Sequence, residues 1–159
     1  MHVRRGDLQF KQVKISASEW YSNLQDTWIP KELIYIATDE RNKTFFDPIA
    51  KYHELRFLDD FKDLAGLETL DPNYTGMIDS IVASRGRVFA GTYWSTFSGY
   101  INRLRGYYGM TMKDSYYGTN QQKTIMHVWD GNFKAGWQKE FPDGWVGIDG
   151  DEWPARYVF

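Results

Sequence analysis

The run Ser95-Thr96-Phe97-Ser98 places three hydroxyl groups within one turn of a predicted helix. The helix is predicted from apolar residues that recur at helical spacing, at Phe97, Tyr100, Ile101 and Leu104. Ser95 suits the N-cap of this helix and Gly106 suits its C-terminal end. The first backbone N–H groups of a helix lack internal acceptors, and the helix dipole makes that end positive. This turn could therefore bind an anion, although the same residues would also suit a plain capped helix facing water.

A second chemical cluster lies at the start of the chain, in the run HVRRGD at residues 2–7. Alternate side chains of a strand share a face, so His2 and Arg4 are predicted to point to the same side. An arginine keeps its charge at every physiological pH and can grip a phosphate with two parallel hydrogen bonds. If this strand lies near the hydroxyl-rich turn, Arg4 and the helix amides could hold one diphosphate from two sides. The alternative is a surface arginine paired with Asp7 or Asp39.

Two aspartates occupy positions from which they could meet a ligand. Asp79 falls outside the predicted apolar core face of its helix, which comprises Met77, Ile78, Ile81 and Val82. It could accept hydrogen bonds from a base or a ribose, or it could be an ordinary surface carboxylate. Asp39 follows a predicted buried strand, where it could contact a ligand or cap the next helix.

Motifs for metals and for phosphate-binding loops are weak in this chain. The triplet Asp149-Gly150-Asp151 matches a D-x-D pattern that can hold a divalent metal, but its irregular, aromatic surroundings favour a solvated turn. His53 and His127 have no second histidine or cysteine at ligand spacing, which favours structural roles. No glycine-rich run ends in Lys followed by Ser or Thr, so no P-loop is predicted. We therefore expect no metal and no bound cofactor.

The composition limits the class of protein. A chain of 159 residues suits one domain, or one domain with an extension. The formal net charge of -2 and the pI of about 5.9 argue against non-specific nucleic-acid binding, because that requires a concentrated basic face. No apolar run approaches the roughly 20 residues of a membrane span. Since cysteine is absent, disulfides, zinc thiolates and thiol nucleophiles are excluded, and the compartment stays open.

The candidate groups need a scaffold, and the apolar pattern predicts one. Strand patterns lie at residues 2–7, 33–37, 55–58 and 88–90. Helix patterns follow them near residues 16–30, 45–52, 77–86 and 95–106. This alternation predicts an α/β fold with helices on both faces of a parallel sheet, whose strand carboxyl ends share one edge. Because almost no apolar run precedes the polar end of the first strand, we expect the chain to begin inside a domain.

The pattern changes after Gly109, where tyrosine, glycine, tryptophan and aspartate follow one another without sustained periodicity. We therefore divide the chain into a Rossmann-like domain at residues 1–109 and an aromatic-rich C-terminal extension at residues 110–159. The extension is predicted to be irregular. It either packs on a partner surface or is partly loose.

Three stretches, at residues 2–7, 34–40 and 79–106, together resemble the GDP-fucose protein O-fucosyltransferase family. The matching sequences are HVRRGD, IYIATDE and DSIVASRGRVFAGTYWSTFSGYINRLRG, with FFDPIAKYHELRFLDDF between the last two. The final block is the most specific. The resemblance covers roughly residues 1–109 and leaves the extension unassigned.

The resemblance implies a particular architecture and particular site residues. Such enzymes are similar in having two Rossmann-like halves, of the GT-B type, with the donor held mainly by the C-terminal half. By resemblance, Arg4 would be the catalytic residue that neutralises the leaving β-phosphate. The other implied donor contacts are Ser95, Thr96 and Phe97 for the diphosphate, and His2 and Asp79 for the nucleoside.

The implied reaction is inverting, metal-independent transfer of L-fucose from GDP-fucose to a hydroxyl of a protein Ser or Thr, or of a glycan. The family's N-terminal half carries a Gly-rich loop and, in some members, a carboxylate proposed as base, and neither is present in this chain. We therefore expect the chain to be the donor-binding half of a larger enzyme, or a truncated gene product. In either case we expect it to need the N-terminal half as a partner and to be inactive alone. The resemblance would place it in the lumen of the endoplasmic reticulum or Golgi.

Two other classes of function remain open at this point. The chain could be a non-catalytic module that binds GDP or a sugar nucleotide in the same crevice. It could also be a protein-interaction domain whose contact surface comprises its seven tryptophans and the tyrosine-rich extension.

Overall fold

The computed structural model describes residues 1–8 and 10–127 of the chain. Its strands are β1 (His2–Val3), β2 (Ile34–Tyr35), β3 (Ala37–Thr38), β4 (Leu55–Arg56), β5 (Phe89–Gly91) and β6 (Ser115–Tyr117). Its α-helices are α1 (Ala17–Leu24), α2 (Asp47–Ala50), α3 (Thr75–Ser84) and α4 (Thr96–Tyr107). Short 3-10 helices lie at Lys11–Val13, Lys43–Phe46, Leu58–Phe61, Pro72–Tyr74, Met112–Asp114, Asn120–Gln122 and Ile125–His127.

All strand pairing among the described residues is parallel: β1 pairs with β3, β2 with β4, and β5 with β6. Only Ile36 separates β2 from β3, and its N–H donates to the carbonyl of Arg56 at 2.8 Å, so the first two pairs are continuous. β5 lies beside β1 because Thr92 Oγ1 accepts from Arg4 N at 2.9 Å and donates to the His2 carbonyl at 3.2 Å. The carboxyl ends of β1, β3 and β5 therefore share one edge.

Two apolar cores cover the two faces of these strands. α1 contacts α2 and α3 contacts α4, so the helices also form two pairs. Side chains alternate between the cores along the strands: Val3 and Ile36 lie in the first core, and Ala37 and Phe89 in the second. This is a mixed α/β fold with parallel strands, as predicted, and it is compatible with a Rossmann-like fold.

The predicted core face of α3 is wrong. That prediction comprised Met77, Ile78, Ile81 and Val82, but three of these side chains, those of Met77, Ile81 and Val82, are exposed. The buried residues of α3 are instead Ser80, Ala83 and Ser84. Both serine hydroxyls donate to carbonyls of their own helix at 2.7 Å, so they are buried without losing hydrogen bonds. Small side chains on this face let α3 lie close to the strands.

α4 likewise turns polar residues inward, which its predicted apolar stripe did not anticipate. Ile101 is buried as predicted, but Tyr100 is 44% exposed, whereas Ser98, Asn102 and Arg105 are buried. The Arg105 guanidinium donates to the Ser115 hydroxyl at 3.0 Å. It also donates to the main-chain carbonyls of Ser84, Gly86, Arg87 and Asp114. These acceptors explain how a charged group is accommodated in the core.

The helix ends follow the sequence signals in part. Ser16 and Glu19 form the predicted capping box of α1, and Ser95 is the N-cap of α4 as predicted. Gly106, however, lies inside α4, and Gly109 ends it with a φ of 72°. The N–H groups of Gly109 and Met110 return to the carbonyls of Gly106 and Arg105, which is the Schellman pattern.

The expectation of irregular structure after residue 109 is wrong for residues 115–117. These residues form β6, which pairs in parallel with β5, and Tyr117 is fully buried in the second core. The side chain of Asn23 in α1 also donates to the carbonyl of Gly118 at 2.8 Å. The division of the chain at residue 109 stays a prediction, and residues 128–159 lie outside the described residues.

Candidate functional site

The chain that leaves β1 is held in place by Asp39, which follows β3. One carboxylate oxygen accepts from Arg5 N at 2.7 Å, and the other accepts from Gly6 N at 2.9 Å. A Cβ on Gly6 would lie only 2.9 Å from Asp39 Oδ2, so the absence of a side chain permits this close approach. Asp39 therefore fixes the first loop, and in this structure it does not cap the helix that follows it.

Arg4 and Arg5 point to opposite sides of β1, as the alternation predicts. The Arg5 guanidinium pairs with Glu40 at 2.8 Å and lies over the Phe45 ring at 3.8 Å, on the side of the first core. Arg4 pairs with Asp7 and, through Nε, with Asp39 at 3.3 Å. The surface pairing that the sequence left open is thus present, and the Arg4 side chain remains 36% exposed.

The first turn of α4 presents its main-chain donors beside Arg4. Gly99 N makes the first intrahelical bond, to the Ser95 carbonyl at 3.1 Å, so the N–H groups before it have no acceptor within the helix. The Ser95 side chain makes no cap hydrogen bond, and Thr96 is exposed. Donors are therefore available in this turn.

A cavity of about 290 Å³ joins these two groups at the carboxyl edge of the strands. Arg4 and Asp7 line one side of it, and Ser95, Thr96 and Phe97 line another. Leu8, Phe10 and Trp94 complete its wall. The structure thus brings four of the predicted site residues, Arg4, Ser95, Thr96 and Phe97, around one opening that combines a guanidinium with a helix N-terminus.

His2 lies beneath this cavity and does not line it. The residue is buried, its Nδ1 lies 2.7 Å from the Ser98 hydroxyl, and its ring lies 4.7 Å from that of Phe97. Burial, with nearby positive charge, lowers the pKa of His2 to about 3, so the imidazole is neutral at physiological pH. His2 supports the turn that lines the cavity, and its predicted contact with a nucleoside stays a prediction.

Asp79 stands on α3 and is also absent from the lining of this cavity. Its Oδ1 accepts a hydrogen bond from the Tyr35 hydroxyl at 2.6 Å, and burial raises the pKa of its carboxyl. Asp79 lies one turn after Gly76, where an added Cβ would touch the Phe97 ring at 3.6 Å. Asp79 is therefore on the side of α3 that faces the first turn of α4, and its contact with a ligand stays a prediction.

Sequence reasoning missed the apolar wall of the cavity and the residue that positions Arg4. Leu8, Phe10 and Trp94 were not assigned to the site, although Trp94 directly precedes the N-cap and Leu8 directly follows the first motif. Thr92 was also missed. Its hydroxyl bridges β1 and β5, and no periodicity of apolar residues could indicate that bond.

Other motifs from the sequence do not join the cavity. His53 Nδ1 lies 3.0 Å from the Glu32 carbonyl, and His127 packs edge-on against Tyr116 at 4.7 Å. Within residues 1–8 and 10–127, no three His, Cys, Asp or Glu side chains are grouped to hold a metal. The D-x-D triplet 149–151 lies outside the described residues. No helix in the described part of the chain has the length and apolar character to cross a membrane.

Comparison with known proteins identifies the family of the chain. The family model of the GDP-fucose protein O-fucosyltransferases matches residues 3–108, which is more than half of the 159-residue chain. The matched range contains Arg4, Asp79 and the turn at residues 95–97. No curated protein and no solved structure matches the chain. The match to the family model establishes that the chain belongs to the GDP-fucose protein O-fucosyltransferase family.

Proposed function

We propose that this chain supplies the GDP-fucose site of an O-fucosyltransferase that acts on a protein Ser or Thr, or on a glycan hydroxyl. The observation that carries the proposal is the single cavity shared by Arg4 and the first turn of α4. Family membership supports fucose transfer from GDP-fucose as the reaction. The acceptor, and an N-terminal half that would complete the cleft, are part of the proposal.

The proposed chemistry is an inverting displacement at C1 of fucose that needs no metal. As the C1–O bond breaks, the acceptor oxygen bonds to C1 from the opposite face and the bonding electron pair leaves on the GDP diphosphate. The proton of the acceptor hydroxyl passes to a base that the proposed N-terminal half would supply. Negative charge therefore grows at the β-phosphate. Arg4 and the amides of residues 96–98 are fixed donors beside that position, so they bind the transition state better than the ground state. Removal of one such group typically costs about 3 kcal/mol, or roughly a hundredfold in rate.

Binding of the donor requires Arg4 to change partners. Asp39 is committed to two backbone N–H groups, whereas the side chain of Asp7 is 79% exposed. A phosphate that enters the cavity would replace Asp7 more readily than Asp39, because Asp7 loses only an exposed ion pair. Arg4 would then keep Asp39 as a support on one side and hold the phosphate on the other.

The nucleoside is proposed to extend toward α3. The Tyr35 hydroxyl occupies Oδ1 of Asp79, which leaves Oδ2 to accept from a base or ribose. His2 is proposed to contribute through Ser98 and Phe97, whose positions it supports, in addition to any contact with the nucleoside.

The test is binding of GDP, GDP-fucose and UDP to the full chain, measured by thermal shift and calorimetry. We expect stabilisation by both guanine nucleotides, little by UDP, and a loss of at least tenfold in GDP affinity for Arg4→Ala. Arg41→Ala is the control, because Arg41 is an exposed arginine that does not line the cavity. Indifference of the wild-type chain to every nucleotide would overturn the proposal.

A second measurement separates an enzyme from a binding module. Release of fucose from GDP-fucose, or its transfer to an acceptor, should be detected when the N-terminal half is present. Tight GDP binding with neither activity would instead identify a non-catalytic sugar-nucleotide module.

A further inference from the structure

The cavity beside Arg4 has an apolar wall that the proposed chemistry does not use. Leu8 and Phe10, from the loop after β1, face Trp94, which precedes α4. The rings of Phe10 and Trp94 are stacked, with centroids 5.3 Å apart and planes inclined by 28°. The cavity therefore has a polar end, formed by Arg4 and Ser95, and an aromatic end.

The backbone at Trp94 directs its side chain to this wall. Trp94 has a φ of 60°, a left-handed conformation that is uncommon for a bulky residue. Tyr93, the residue before it, is 9% exposed and packs in the second core against Tyr117. The Trp94 ring contacts the Tyr93 ring, with centroids 4.8 Å apart and planes inclined by 56°, and it also lines the cavity. Backbone strain of this kind clusters at ligand sites.

The two ends of a nucleoside-diphosphate sugar would lie on different sides of Phe97. His2 contacts the Phe97 ring from β1, and a Cβ added at Gly76 in α3 would meet that ring at 3.6 Å. Asp79 lies one turn beyond Gly76. Phe10 and Trp94 line the cavity that contains Arg4 instead. If the diphosphate lies at the Ser95 turn and the nucleoside points toward α3, the nucleoside does not cover the aromatic wall. The wall is then available to the group on the β-phosphate, which is the sugar.

We propose that Phe10 and Trp94 form the surface that receives the donor sugar and selects a 6-deoxyhexose over its 6-hydroxy counterpart. This inference rests on the proposed function. Apolar faces of sugars and methyl groups pack well on aromatic rings, and a pocket usually combines such walls with few polar anchors. Leu8 and Phe10 carry no polar side-chain atoms, and Trp94 carries only its indole N–H. A hydroxyl on C6 that lies against Leu8 or Phe10 would therefore lose its water without gaining a partner.

The experiment compares three ligands that share the same nucleotide: GDP, GDP-L-fucose and GDP-L-galactose, in which the same sugar carries a hydroxyl on C6. Calorimetry with the full wild-type chain should give an affinity for GDP-L-fucose about ten- to a hundredfold above that for GDP-L-galactose. Phe10→Ala should reduce this preference to less than threefold and leave GDP affinity within twofold. Trp94→Phe should reduce the preference partially, because it keeps a smaller ring.

The control is Tyr100→Ala, which removes an exposed aromatic side chain of α4 that does not line this cavity. It should keep the wild-type preference. Phe10 is 38% exposed, so its truncation tests the wall even if a change at Trp94 impairs folding.

The outcomes separate this inference from the proposed function. No GDP binding by the wild-type chain would refute the proposed function itself. GDP binding with an unchanged preference in Phe10→Ala would overturn only the sugar assignment. An equal loss of GDP and GDP-L-fucose affinity in Phe10→Ala would also overturn it, because the wall would then face the nucleoside.

Discussion

Nδ1 of His2 lies 2.7 Å from the hydroxyl of Ser98, although the two residues are 96 positions apart in the chain. His2 belongs to β1 and precedes Arg4 by two residues, while Ser98 lies in the first turn of α4, three residues after Ser95. This buried contact therefore sets the distance between the guanidinium and the helix amides that share the cavity. Preorganisation of that kind is what an anion site requires.

Replacement of His2 should change how stability depends on pH. Burial lowers the pKa of His2 to about 3 in the folded chain, whereas an unfolded histidine titrates near 6.5. Below pH 6.5 the unfolded state therefore binds a proton that the folded state does not, and stability falls as the pH falls. The slope is at most about 1.4 kcal/mol per pH unit. Urea unfolding of His2→Gln at pH 7, 6 and 5 should give a free energy of unfolding that depends less steeply on pH than that of the wild type. The difference in slope should approach that of one bound proton, about 1.4 kcal/mol per pH unit.

The variant Ser98→Ala separates the effect of the His2 titration from the effect of the hydrogen bond between His2 and Ser98. The variant keeps a buried imidazole, so it should keep the wild-type pH slope while its stability falls by about 1 to 3 kcal/mol at every pH. An identical slope in His2→Gln and wild type would contradict the assignment.

Asp39 and Asp7 both pair with Arg4, but we expect their removal to have opposite effects on GDP affinity. Asp39→Ala leaves the N–H groups of Arg5 and Gly6 without their acceptor, which should cost about 1 to 3 kcal/mol of stability and lower GDP affinity. Asp7→Ala removes only an exposed partner, worth about 1 kcal/mol or less, so stability should change little. GDP affinity should then rise severalfold, because the phosphate no longer competes with a carboxylate. Calorimetry measures the GDP affinity of both variants, and urea unfolding measures their stability. Weaker GDP binding in Asp7→Ala would exclude competition between Asp7 and the phosphate for Arg4.

Two glycines near α4 should respond to alanine in opposite directions. At Gly91 a Cβ would lie 2.8 Å from the Ser98 side chain, so Gly91→Ala should destabilise the chain by about 1 to 3 kcal/mol. At Gly76, inside α3, a Cβ would meet the Phe97 ring at 3.6 Å, which is an ordinary contact. Gly76→Ala should therefore stabilise by about 0.5 to 1 kcal/mol through helix propensity. Thermal unfolding of the two variants measures whether each substitution raises or lowers stability. A stabilising Gly91→Ala would show that β5 and α4 are less closely packed than described.

Replacement of Arg105 by lysine should lower the stability of the chain. Its guanidinium donates to one hydroxyl and four carbonyls, which lie at the end of α3, in the loop between α3 and β5, and at or just before the start of β6. A lysine has three donors on a single nitrogen and cannot reach these separate acceptors. Arg105→Lys should cost about 2 to 4 kcal/mol in urea unfolding, whereas Arg41→Lys, at an exposed position, should cost less than about 0.5 kcal/mol. Equal stabilities would contradict a structural role for this group.

Local sequence signals identified the elements better than the faces they bury. The capping box at Ser16 and the N-cap at Ser95 depend on neighbouring residues only, and both were predicted. The inward face of α3 was not predicted, and that of α4 was predicted only in part. Ile101 is buried as expected, but serines, an asparagine and an arginine also point inward, while Met77 and Ile81 are exposed. Close approach to the strands and the bonds made by Arg105 override the apolar pattern, and neither is visible in periodicity.

The sequence was enough to predict that Arg4 lies at the exit of a strand, that residues 95–97 begin a helix, and that strands and helices alternate along an α/β chain. These features follow from local backbone preferences and from the spacing of apolar residues. The folded chain was needed to show that Thr92 and Ser98 join β1 to β5 and α4, that Asp39 holds the first loop, and that Phe10 stacks on Trp94. Those contacts connect segments far apart in the chain, so their geometry depends on strand order and on packing that no local pattern contains.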